Sequence, residues 1–141
     1  YFMDATGSAP LSGASYLRAG RRVLRPDAVI YLPTQVQGFA LANDRVALAR
    51  SHGTADGELE FWQSPLNGLP RTVSLPGGYT TSGWSLATKE RVVRIPSGTE
   101  DLEWQPPHLL IAFESGAQEY RDDWRGRGAL IEDRVMFLEL P

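Results

Sequence analysis

Short runs of alternating apolar and polar residues, separated by polar turns, recur along this chain. The clearest lie between Gln35 and Gln63. Phe39 and Leu41 are large and apolar, with the small residues Gly38, Ala40 and Ala42 around them. Asn43-Asp44 is a turn signal, because both side chains can bond nearby backbone groups and Asn tolerates positive φ. From Arg45 to Ser51 the alternation resumes. Val46 and Leu48 fall on one face, while Ala47 and Ala49 leave the other thin enough for a second sheet to pack close. His52–Gly57 is a turn rich in Gly, Thr and Asp. In the next strand Leu59 and Phe61 share one face, and Glu58 and Glu60 the other. A period of two between turn residues is the signature of half-buried strands.

The layout returns in the last third. Thr99–Ala117 matches Gln35–Gly53, and Ser51 and Ser115 close the second strand of each copy 64 residues apart. Asp44 and His108 have the same separation. Upstream, Ala28–Pro33 is similar to Arg91–Pro96; downstream, Glu58–Pro65 is similar to Arg134–Pro141. Repeated supersecondary units imply stacked or radial architectures.

Between the copies the chain is less regular. Tyr1–Ala5 has strand character and the following residues read as loop. Arg18, Arg21, Arg22 and Arg25 form a basic patch, read as a solvated strand edge or loop, since no Gly-rich phosphate cradle adjoins it. Asn67-Gly68 is a tight-turn signal. Arg71–Pro76 predicts a short strand, Gly77–Gly83 a flexible loop, and Trp84–Ala87 a further strand. Pro106-Pro107 makes a stiffer turn than Asn43-Asp44. Leu109–Phe113 is apolar throughout, as in a strand buried on both faces. Gln118–Gly128 reads as a long polar loop. Nothing sustains a 3.6-residue period, so little or no helix is expected.

Together these signals predict one all-β domain over residues 1–141, made of two to three antiparallel β-meander, blade-like units. The core copy resembles a blade of the NHL / SMP-30-like β-propeller superfamily: Gln37-Gly38-Phe39-Ala40-Leu41, then Asp44-Arg45-Val46, then Leu59 and Phe61. That resemblance implies a fragment of a β-propeller; a β-sandwich or barrel is the alternative. A blade takes roughly 40–50 residues and closure about four to eight blades. The remainder of the propeller, or a second protein, is therefore an expected partner. Because the chain opens on Tyr1 rather than Met, we expect a trimmed N-terminus.

Composition narrows the function classes. The chain has 141 residues, 22% charged and 42% apolar, with net charge −3 and no Cys. Mixed charge of that sign argues against nucleic-acid binding. No apolar run approaches the ~20 residues of a membrane-spanning helix. Lack of Cys removes disulfide and thiolate–metal readings without deciding the compartment; a secreted or periplasmic location is compatible with it.

Chemistry is sparse. No G-x-S-x-G elbow is present, and Ser51 and Ser115 read as residues bonding the turn backbone. His52 and His108 lie in turns without ligand spacing. Trp62, Trp84, Trp104 and Trp124 are spaced by 22, 20 and 20 residues, which suits one large residue per hairpin better than an aromatic platform. If a small ligand or protein binds, the contact candidates are Tyr120, Arg121 and Trp124 in the polar loop, together with His52. In SMP-30-like lactonases, a Glu opening an inner strand in a Glu-Gly-x-x-Trp-like pattern binds a divalent metal. Glu100 and Trp104 keep that spacing, which implies a divalent metal such as calcium at Glu100, although Asp101 replaces the Gly. Two functions follow as expectations: a non-catalytic binding or scaffold propeller segment, or an SMP-30-like metal-dependent hydrolase or lactonase.

Overall fold

The computed structural model describes residues 15–18, 21–24, 26–42, 44–51, 55–75, 77–114 and 134–139. They form an all-β fold, with a single 3-10 turn at Pro65–Asn67 as the one helical element among them. Asn67 N–H donates to the Ser64 carbonyl (3.4 Å), so this segment is a helical turn rather than the tight hairpin its Asn-Gly suggests. No described helix is long and apolar enough to cross a membrane. The chain divides into two compact units: Tyr1–Tyr31 with Gly68–Ser85, and Leu32–Asn67 with Leu86–Pro141.

The first unit holds a hairpin of β1 (Ser15–Arg18) and β2 (Arg21–Leu24), so part of the arginine patch is strand. It also holds a three-stranded sheet in the order β3 (Ala28–Tyr31), β8 (Tyr79–Ser85), β7 (Arg71–Leu75). β8 runs through most of the stretch that reads as a flexible loop, Gly77–Gly83, into the strand expected from Trp84. Its Tyr and Thr residues suit a pleated surface, and Gly83 leaves room for the Val73 side chain of β7. β7 and β8 pair antiparallel, but β3 and β8 pair parallel, which departs from the expected all-antiparallel pattern. The cause is connectivity: strands of the other unit intervene between β3 and β7, and no tight hairpin sets their direction. Trp84 Nε1 donates to the Gly68 carbonyl (3.1 Å), and the Arg71 guanidinium lies 4.2 Å above the Tyr31 ring.

The second unit contains two antiparallel meanders. One runs β4 (Val36–Leu41), β5 (Arg45–Arg50), β6 (Gly57–Gln63), β9 (Lys89–Ile95). The other runs β10 (Thr99–Gln105), β11 (His108–Phe113), β12 (Met136–Glu139). The Pro106-Pro107 pair, joined by a cis peptide bond, forms the two-residue turn between β10 and β11.

Their registers match. β4 against β5 shifts between Val36 and Gly38, leaving Gln37 as an extra residue; β10 against β11 shifts between Thr99 and Asp101, leaving Glu100. The turns before them carry the positive-φ residues Gln35 (63°) and Gly98 (75°). Every one of these pairs is 63 residues apart (Gln35 and Gly98, Gly38 and Asp101). That is also the spacing of Pro33 and Pro96. The repeat is thus one residue shorter than the 64 read from the two serines. In the third strands Phe61 matches Phe137, because Ala47 pairs with Phe61 and its counterpart Leu110 pairs with Phe137.

The sheets pack through opposite faces. Ala40, Ala47, Ala49, Leu59, Phe61 and Ile95 of the first join Leu102, Leu109 and Ile111 of the second in one buried cluster. The register counterparts of Leu109 and Ile111 are Val46 and Leu48, which lie on the other face of the first sheet and are also fully buried. β10 lies against β4 and, less extensively, β5. Small residues allow this approach: a Cβ on Gly38 would sit 2.9 Å from Leu102 Cγ and 3.1 Å from the Leu102 nitrogen.

Candidate functional site

The strongest concentration of charge among the described residues is centred on Glu60 in β6. Sequence alternation assigns Glu60 to a polar face with Glu58, yet its side chain is 0% exposed. Neighbours in register explain this. Leu48 lies directly opposite Glu60, and Val46 opposite Trp62, so the face carrying Glu60 is lined by buried aliphatic and aromatic groups. A carboxylate there requires partners, since an unpaired buried charge is costly.

Three strands supply them. Arg50 of β5 donates from Nη1 to Glu60 Oε1 at 3.0 Å. Lys89 Nζ, at the start of β9, donates to the same oxygen at 2.9 Å. Trp62 Nε1 donates to Oε2 at 2.9 Å. Arg50 also donates from Nε to the Thr34 carbonyl at 3.2 Å, tying the cluster to the turn before β4. The Lys89 ammonium lies 5.1 Å from the Trp62 ring centroid, within cation–π range. The arrangement fixes an ionised carboxylate between two cations and clamps β5, β6 and β9 together.

Burial alone would push the Glu60 carboxyl up, but hydrogen bonds from Lys89, Arg50 and Trp62, with the Lys89 charge, outweigh it and hold its pKa below the ordinary 4.5. A lowered folded value sets the sign of the pH dependence. The cluster's stabilisation is fully present above pH 4.5 and is lost as pH falls through the lower folded value. We therefore expect the urea-midpoint gap between the parent and Glu60→Gln to be full at neutral pH and to shrink as pH falls below 4.5. A gap that does not change with pH would show that the carboxylate is not ionised and paired in the fold.

Of the residues singled out from sequence, Trp62 belongs to this cluster, whereas Glu100 and His108 make none of its bonds. Glu100 is the bulged residue at the entry of β10 and is exposed. Its register counterpart is Gln37, also exposed, so a polar bulge recurs where a simple 64-residue spacing would align Val36. Asp101 has a structural use: its Oδ1 accepts the Leu102 N–H at 2.8 Å, beside the bulge. Among the described residues no group of three or more His, Asp or Glu side chains could hold a metal ion. His108 opens β11, with its ring edge-on to Phe137 (6.2 Å between centroids, 83°). His52, Tyr120, Arg121 and Trp124 lie outside the described residues, as does Ser115. The Ser51 hydroxyl, read as a turn bond, donates instead across the sheets to the Thr99 carbonyl at 3.5 Å.

Glu60 itself was missed by sequence reasoning. The available signal was Trp62, two positions along on the same strand face, marking that face as one not left to solvent. A search of protein-family models finds no match to this chain, nor does a search of curated proteins or of solved structures.

Proposed function

We propose that this chain is a non-catalytic binding or scaffold protein whose two meanders are consecutive blades of a β-propeller. The observation that carries this reading is the opposite-face packing of two sheets with equivalent registers. Blades around a ring are related by rotation, so each meets its successor through the opposite face; a two-fold sandwich brings equivalent faces together. The short link Pro96–Gly98, leading from the last strand of one sheet to the first strand of the next, supports the same reading. The buried Glu60 cluster supports a structural purpose, since both carboxylate oxygens are taken by neighbouring donors.

A calorimetric titration with Ca²⁺ or Zn²⁺ tests the non-catalytic assignment. Parent chain and Glu100→Gln are expected to give the same trace. A metal site present in the parent and lost in Glu100→Gln would replace this reading with that of an SMP-30-like metal-dependent hydrolase.

A further inference from the structure

The far face of the β10–β11–β12 sheet is the register counterpart of the face through which the first sheet receives its neighbour, yet its chemistry differs. Directly paired residues on adjacent antiparallel strands share a face. Glu103, Leu110 and Phe137 therefore form one row, and Gln105, His108 and Glu139 the next. The matching first row on the other sheet is Ala40, Ala47 and Phe61, which are 5%, 0% and 3% exposed. On the far face Phe137 is 65% exposed, and Glu103 and Glu139 are exposed as well.

Close sheet packing is excluded here. Asp101 and Glu103 stand where the first sheet has Gly38 and Ala40, so their side chains fill the space a neighbouring strand would need, and burying them unpaired would be costly. A second copy laid face to face would set Glu103 and Glu139 among like charges. An apolar strip of Leu110 and Phe137 flanked by carboxylates is complementary to cations alternating with apolar side chains. His108 stands edge-on to the Phe137 ring.

We propose that this face docks an extended, basic, amphipathic segment of another protein. Its lysines or arginines meet Glu103 and Glu139, and its apolar side chains cover Phe137 and Leu110. The inference rests on the binding reading for its class of function and takes the second sheet as an open end of the blade array, since a blade packed on this face would leave the segment no room.

The test is fluorescence anisotropy of the full chain with a labelled peptide alternating lysine and leucine, against one alternating glutamate and leucine. The lysine peptide is expected to bind at least about tenfold more tightly, as steering by complementary charge requires. Phe137→Ser and Glu103→Lys should each weaken it by about tenfold or more, and Glu103→Lys should narrow or invert the preference. Glu90→Lys, an exposed change on the other sheet, should leave it unaltered. Absence of binding, or an equal loss in Glu90→Lys, overturns the proposal. So does concentration-dependent self-association abolished by Phe137→Ser, which would give the face to a second copy. These outcomes are independent of the metal titration, so either proposal can fail alone.

Discussion

Replacing Arg50 and Lys89 together by methionine is expected to destabilise the chain by about 3–5 kcal/mol at neutral pH, the range for a buried charge stripped of its partners. Glu60 would keep only the Trp62 indole N–H, with its side chain 0% exposed. The effect is asymmetric. Glu60→Gln removes the anion but leaves two cations that are 27% and 38% exposed and can be rehydrated, so it should cost only about 1 kcal/mol. The pH dependence should also reverse. In the double variant burial dominates, raising the folded pKa above the unfolded one. The penalty from Glu60 is then smallest at low pH, where the carboxyl is neutral, and grows as pH rises through the raised value. Urea denaturation at neutral pH and near pH 4, spanning the ordinary carboxyl range, reads both effects. Adding Glu60→Gln to the double variant should recover most of the loss. A double variant as stable as the parent at neutral pH would mean that Glu60 reaches water.

Gly38→Val is the second large effect, expected at about 3 kcal/mol, the upper part of the range for overpacking. The added Cβ alone would meet Leu102 Cγ at 2.9 Å and the Asp101 carbonyl carbon at 3.1 Å. Part of that surface is backbone, and close-packed interiors relax little. The register-equivalent change, Asp101→Ala, should cost only about 0.5–1.5 kcal/mol, the worth of one hydrogen bond, here that to the Leu102 N–H. Equal midpoints for the two variants would show that β10 does not press on β4 at Gly38.

Alternation sufficed to locate β4, β5, β6, β10 and β11, because one face of each is strongly apolar and turn residues bound them. It also revealed the repeat. It did not reveal the register. A bulge adds one residue and turns the side chains beyond it to the other face, so Gln37 and Glu100 break the alternation at the entry of β4 and β10. The serines at 51 and 115 suggested a 64-residue spacing; the bulges and positive-φ turns fix 63. Tyr79–Gly83 reads as loop because Gly77 and Gly78 precede it and Gly83 ends it, although Gly83 serves close packing against Val73; only Trp84 and Ser85 of β8 fall in a segment that reads as strand. Glu60 was hidden for a different reason. Local sequence gives a residue's face, but only the strands beside it tell whether that face is wet. Of the binding candidates, Glu100 proved to be a bulge residue, while His52, Tyr120, Arg121 and Trp124 fall outside the described residues.

Opposite-face packing is the premise shared by the fold description and the propeller proposal. Methyl-labelled NOE spectroscopy reads it directly. Cross-peaks are expected from Ala40, Ala47 and Ala49 to Leu102, Leu109 and Ile111, and none from Val46 or Leu48 to those residues. Cross-peaks joining Val46 and Leu48 to Leu109 and Ile111 would mean that equivalent faces meet, contradicting the rotation between the two sheets.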